Sequence, residues 1–551
     1  MDNNRISPND TRPIARPSAA APAVSAVRAT RGGASLRSVP ADPFAPVALL
    51  YLNAPQDSEF FTFLLEAHRL VVGTPGILDA IDADLDLHGQ RKKALRVADA
   101  QWNEAKGQRL PTIGIVPLTD VAAESLLLGV GRPRTAAYVV YLFLIGRGFY
   151  GGFKSAPATT LLLESVTLRV FLGNLGLELP GRSTLTELVN AVSSATREKI
   201  LDAQLLAVLG EGWDDFKAMT ADSTAVEGNV LWPTDSRLMV DLVARLCRRG
   251  ARLKTLGLPN FAAPRTAKVL GAMSLLDREI SLGSGRPQGA RRRPYLYRKL
   301  LKKARRAAAL LAPQIEQTQQ ALRALDVLPS QRVRAARLVE WLQTDLENLR
   351  QVVQNCEARV LRNEKVPMSE KVLSVSDPDV GYMAKGGRES VVGYKPSLAR
   401  SGNGFVTGLI VPQGNASDSG QLVPIFEQAV RRTGVIPDTV SVDDGYSSAA
   451  GRTTILARGP KTVSISGSKG KKITPAADWD SEAYAVSRDD RSAVESLMYT
   501  IKYGFDFGRV ARRGLENVRA ELLEKVLAYN FCRLATCRAA KAREESLAWA
   551  A

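Results

Sequence analysis

The chain has 551 residues, with 74 Lys and Arg against 56 Asp and Glu, a formal net charge of +18. That length exceeds one compact core, so roughly two to four domains are expected, and the basic excess points to a polyanionic partner, nucleic acid or an anionic membrane surface. The 2 His and 4 Cys, without a CxxC pair, leave little material for Ser–His–Asp or Cys–His catalysis or for structural zinc, and suit a reducing cytoplasm.

Met1 to about Ala45 is rich in Pro, Ala, Ser and Arg and lacks periodicity. It reads as a disordered basic arm, without the apolar core and cleavage site of a secretory signal. Helical patterns follow from Val47 to about Leu110, including Glu59–Glu66 and Gln90–Ala105. Thr135–Ile145 reads as a buried helix; its apolar run is too short to span a membrane and is followed by Arg147. Ser165–Leu172 is another helix. Ser183 or Thr184 would cap a third, through Leu185, Leu188, Val189 and Val192. This segment fits either a helix-turn-helix or an ordinary helical bundle.

Phe216–Asp235 reads as an extended run carrying Asp222, and Asp235-Ser236 as the cap of an amphipathic helix through Leu238, Leu242, Leu246 and Cys247. Residues from Met239 to Glu364 are mainly helical. From Arg286 to Arg306 there are ten Lys and Arg, with no acid between Glu279 and Glu316. Arg291, Arg292, Arg293, Arg298, Lys299, Lys302 and Lys303 are therefore candidates for phosphate-backbone contact, with Tyr295 and Tyr297 interleaved to stack or touch sugar.

From Lys371 the pattern turns to strands: Val372–Asp379, Val391–Ala399 and Gly404–Pro412. Gly414-Asn415 is a turn, and Asp418-Ser419 would cap a helix through Leu422, Ile425, Phe426 and Val430. Val435–Asp443 is a buried strand ending in acid, and Thr462–Gly467 a further strand. In the next helix Arg491, Glu495, Tyr499 and Lys502 share one face, while Val494, Leu497, Met498 and Ile501 share the buried one. The order predicts a mixed α/β sheet flanked by helices, with acids at element ends facing one crevice.

Asp222, Asp443 and Glu495 form the kind of carboxylate set that two-metal phosphoryl transfer needs. At these residues the chain resembles the DDE transposases of bacterial insertion sequences. The resemblance rests on Asp222-Ser-Thr with Trp232-Pro-Thr-Asp-Ser236; on Asp377-Pro-Asp379, Gly393-Tyr394-Lys395 and Gly414-Asn415 with Asp418; on Asp443-Asp-Gly-Tyr446; and on Arg491, Glu495 and Lys502, which match the last three members of a Tyr-Arg-Glu-Lys signature. Leu168–Leu185 is more weakly similar to the family's N-terminal helical domain. The signature tyrosine would stand at Arg488; Tyr484 and Tyr499 are nearby candidates for its role.

The resemblance implies an RNase H-like core split by a long helical insertion after its first strand, with a helical N-terminal domain. The expected domains are 1–45, a basic arm; 46–210, helical, for DNA binding or dimerisation; 211–238 with 371–510, the catalytic core; 239–370, the insertion with the basic patch; and 511–551, a C-terminal helix. Asp222, Asp443 and Glu495 would hold two Mg²⁺ or Mn²⁺ ions, with Asp377, Asp379, Asp418 and Asp444 assigned no metal. Arg491 and Lys502 would hold DNA phosphates. The implied activity is cleavage at the ends of the element followed by strand transfer into target double-stranded DNA, by at least a dimer in the cytoplasm. A nuclease or resolvase that cuts without joining, and a DNA-binding protein with an inactive core, are the alternatives.

Overall fold

The computed structural model describes residues 55–107, 135–152, 155–258, 264–283, 287–384 and 389–550. The expected basic arm lies outside them. Seven helices come first: α1 (Pro55–Gly73), α2 (Gly76–Ala105), α3 (Ala137–Phe149), α4 (Ser155–Glu164), α5 (Val166–Asn174), α6 (Arg182–Ala191) and α7 (Ser194–Gly210). Helix α3 is apolar all round, and Tyr138 to Ile145 are all buried, as expected of a helix with neighbours on every side. The cap expected at Ser183 or Thr184 lies two or three residues too late: α6 starts at Arg182 after an extended Gly181 and has no side-chain cap. Leu185 and Val189 of α6 join the core around α3.

Strands β1 (Ala218–Ser223) and β2 (Val226–Glu227) lead into helices α8 (Asp235–Lys254), α9 (Pro264–Leu282), α10 (Pro287–Arg323) and α11 (Pro329–Cys356). These four helices share a separate hydrophobic core that includes Leu242, Leu246, Met273, Leu300, Leu311, Leu342 and Leu349. The cap of α8 is Thr234, whose hydroxyl accepts from the Arg237 N–H; Asp235 is the first helical residue, where its charge suits the helix dipole.

After the helices come β3 (Gly381–Met383), β4 (Val391–Tyr394), β5 (Ser397–Ser401), β6 (Val406–Ile410), α12 (Leu422–Thr433), β7 (Thr439–Val442), α13 (Ala449–Leu456) and β8 (Thr462–Ile465). Short helices α14 (Gly467–Ile473), α15 (Ala476–Trp479) and α16 (Glu482–Asp489) precede α17 (Ser492–Gly504) and the long α18 (Leu515–Ala550). Two strand expectations need correction. Val372–Asp379 is not a strand: Ser374 Oγ accepts from the N–H groups of Ser376 and Asp377, which turns the chain locally. Val391–Ala399 is two strands, because Lys395-Pro396 breaks the run and sends β4 and β5 to different sheets.

The main sheet has the order β6-β5-β1-β7-β8, with β1 antiparallel to β5 and parallel to β7, and β7 parallel to β8; β2-β4-β3 form a smaller sheet. Alternation sorts the main sheet into two faces. Met219, Ala221, Val440, Val442, Val463 and Ile465 pack with Leu422, Ile425 and Phe426 of α12 and Ile455 of α13. Leu398 and Val406 belong to the other core, with Val494, Leu497 and Ile501 of α17, Leu522 and Val526 of α18, and α3. The edge strand β6 is covered by α18: Asn530 donates to the Val406 carbonyl and accepts from its N–H at 3.0 and 2.9 Å.

Helix α18 is also held by charge. Glu524 is buried and accepts from Arg147 of α3, Arg197 of α7 and Arg512 at 2.7, 3.0 and 2.6 Å. Gly148 lets α3 approach closely enough for this, since a Cβ there would stand 2.0 Å from the Glu524 carbonyl oxygen. Burial alone would raise the Glu524 pKa, but the three guanidinium groups hold it at about 2, against 4.5 for a free side chain. Because the folded value is the lower one, the stabilisation is complete above pH 4.5 and fades as pH falls toward 2. Glu524→Gln is therefore expected to lose about 3 kcal/mol at pH 7, measured by urea unfolding, and to lose less stability than wild type between pH 5 and 3.

Candidate active site

Strand β1 brings Asp222 to its C-terminal end, and β7 hands on to Asp443 directly after Val442. The pairing of β1 with β7 is parallel, with Ala221 opposite Val442. One residue further on, Asp222 and Asp443 are neighbours at adjacent strand ends, the strands being about 4.8 Å apart. Both fall on the face opposite Ala221 and Val442, the face against which α17 packs. The Asp222 carboxylate accepts from the Ser223 N–H at 2.7 Å. Asp443 caps the following turn by accepting from the Gly445 N–H at 3.0 Å. Tyr446, buried at the end of that turn, donates to Ser397 Oγ at 2.9 Å and ties the turn to β5.

The pair is electrostatically unfavourable as it stands. Burial, then the Asp443 charge, pushes the Asp222 pKa to about 6. Burial, then the Asp418 charge, raises that of Asp443. Asp418 was not singled out as a site residue by the sequence, yet it belongs to this neighbourhood. A Cβ built on Gly445 would stand 3.0 Å from Asp418 Oδ2 and 3.1 Å from Asp443 Oδ1. Lys395 donates to Asp418 Oδ2 at 2.6 Å. Asp444, by contrast, accepts from the Lys469 and Gly470 N–H groups at 2.8 and 3.0 Å, which lowers its pKa and turns it away to α14. Asp377 is buried under the Tyr394 hydroxyl, and Asp379 accepts from the Leu515 N–H where α18 begins.

Glu495 stands in the first turn of α17 and is 63% exposed, with its carboxylate accepting from Arg491 at 2.8 Å. Arg491 also lowers the pKa of Asp222 and of Asp443, so the guanidinium bonded to Glu495 is close enough to act on the acid pair as well. The buried face is as read from the sequence: Val494, Leu497, Met498 and Ile501 are buried. Among the described residues no group of three or more His, Cys, Asp and Glu side chains is close enough to hold a metal ion. The structure thus brings Asp222 and Asp443 together and leaves Glu495 outside. A mutually repelling, desolvated carboxylate pair is a donor set that fits a hard divalent cation.

Residues 356–531 match the family described as transposase DDE domain. Over this stretch the chain is similar to transposase DDE domains. No match was found among curated proteins or among solved structures. The matched stretch contains Asp443 and Glu495 but not Asp222, which β1 brings beside it by pairing with β5 and β7.

At the position expected for the signature tyrosine, Arg488 lies over the Trp479 ring at 5.3 Å. Tyr484 is fully engaged in the fold: its buried hydroxyl accepts from the Ile465 N–H and donates to the Ile465 carbonyl, closing the β8 edge. Tyr499 is 67% exposed and its ring meets that of Tyr503 at a tilt of 46°, with centroids 4.6 Å apart. On α10, Arg291, Arg292, Arg293, Arg298, Lys299 and Lys302 are exposed and Lys303 is half-buried. Leu296, Leu300, Leu301 and Ala304 face the bundle core. Tyr295 is exposed beneath Lys299, whose Nζ is 4.4 Å from the ring. Tyr297 is buried and bonded to Ser236, so it packs rather than stacks on a ligand.

The raised Asp222 pKa gives a stability prediction. The folded state disfavours the ionised form, so the carboxylate opposes folding above pH 6 and ceases to do so as pH falls below 4. Without divalent metal, Asp222→Asn is expected to be more stable than wild type by roughly 1–3 kcal/mol at pH 8. The difference should vanish near pH 4, by thermal unfolding in EDTA.

Proposed function

We propose that this transposase binds the ends of its own DNA element and catalyses metal-dependent strand cleavage and strand transfer on an RNase H-like core. The carrying observation is the parallel pairing that ends at Ala221 and Val442 and so sets Asp222 and Asp443 side by side. The mixed five-stranded sheet with helices on both faces supports the same core. Asp222 and Asp443 would hold Mg²⁺ or Mn²⁺, two ions with Glu495 completing the set. When bound, the metal would supply an activated oxygen nucleophile and stabilise the leaving oxygen.

The chain's own residues do the rest. The Ser223 and Gly445 N–H groups each hold one oxygen of Asp222 and Asp443 in place. Arg491 is the counter-ion of Glu495 while DNA is absent. An entering phosphate offers the guanidinium a second anionic partner, and Glu495 can then turn toward the pair. Lys502 follows two turns later on α17 and reaches the same strand. The exposed basic face of α10 holds duplex DNA by its phosphates, without reading sequence. Synapsis of two ends calls for at least a homodimer.

Asp222→Asn, Asp443→Asn and Glu495→Gln are each expected to reduce cleavage of end-containing duplex to background while duplex binding persists, read by gel assay with Mn²⁺ and Mg²⁺. Wild-type cleavage by any of the three removes that residue from the site. Replacing Arg291, Arg292 and Arg293 by Gln together should reduce the slope of log K against log salt by about three, roughly one per lost phosphate contact.

A further inference from the structure

A cavity of about 300 Å³ lies at the junction of α3, α18 and the segment that leads from α17 to α18. It is distinct from the acid pair. Arg147, Arg509, Arg512 and Lys525 line it, with Asp506, Glu521 and Glu524. Every one of these acids is already committed. Asp506 pairs with Arg509 at 3.2 Å. Glu521 accepts from the Ala511 and Arg512 N–H groups and pairs with Lys525 at 3.2 Å. Glu524 serves three guanidinium groups, with Arg197 behind the cavity wall.

The cations are not equally satisfied. The Arg147 Nε–H is buried without a partner, which costs free energy in the folded state. Burial and the neighbouring Arg512 and Arg197 charges depress the Arg147 pKa to about 10, against the pull of Glu524. The wall thus joins one unpartnered donor to several forked guanidinium groups, which match a tetrahedral oxyanion.

We propose that this cavity is an anion site that takes a phosphate group, either free inorganic phosphate or a phosphodiester of bound DNA. The inference does not depend on the acid pair being catalytic, and its test reads binding, not cleavage. Sodium phosphate at millimolar concentration should raise the Tm of the full chain by about 2 °C or more over sodium chloride at equal ionic strength. Arg509→Gln, at a half-exposed position, and Arg147→Gln should both abolish that rise; Arg509→Gln keeps the test valid where Arg147→Gln does not fold. Loss of about one from the salt slope of duplex binding in Arg509→Gln identifies the phosphodiester as the occupant, and an unchanged slope with the phosphate rise intact in wild type identifies free phosphate. No rise over chloride in wild type, or a rise that survives Arg509→Gln, overturns the proposal.

Discussion

The pairing of β1 with β7 is the constraint from which the site follows. Side chains alternate with a period of two along each strand, so a slip of one residue would turn either aspartate into the hydrophobic face behind the sheet. What prevents the slip is the burial of Met219, Ala221, Val440 and Val442 on that face. The acid pair is thus positioned by apolar neighbours on the far side of the sheet. Its own electrostatics oppose the placement, and the packing of α12 and α13 overrides that opposition.

The second support is α18. It lies outside the sheet yet closes the β6 edge through Asn530, meets Asp379 at its start, and gathers α3 and α7 around Glu524. Helix α17 is held between this arrangement and β1. The position of Glu495 relative to the acid pair therefore depends on contacts made by helices far from it in sequence. The arrangement also explains why a buried carboxylate surrounded by arginines is tolerated here: each guanidinium arrives from a different element, so the cluster joins parts that no strand pairing connects.

Much of this was legible in the sequence where periodicity was strong. The two faces of α17 and the apolar all-round α3 each follow from spacing, whereas the strand expected over Val435–Asp443 is only Thr439–Val442 and stops one residue short of its acid. Strand limits were less legible where a side chain competed with the ladder, as Ser374 does, or where one proline reassigned a strand, as Pro396 does. Of the site, Asp222 and Asp443 could be chosen from pattern and resemblance. The role of Asp444 at the start of α14 and the approach of Asp418 through Gly445 could not, because both are through-space facts with no local signature. The same limit applies to Tyr297: its place in a basic run suggested a ligand contact, but a buried neighbour on α8 decides its orientation.

The split sheet also sets a timetable for synthesis. Strand β1 is central, yet its partner β5 begins only at Ser397 and β7 only at Thr439. At ordinary translation rates β1 waits roughly 10–35 s on the ribosome for β5 to be made. Both of its edges stay unpaired meanwhile. The four-helix bundle of α8 to α11, with a core of its own, can fold during the wait and draw the two ends of the gap together. A lesion in that bundle would thus act first as a folding defect, by lengthening the time that a hydrophobic strand stands open to other chains.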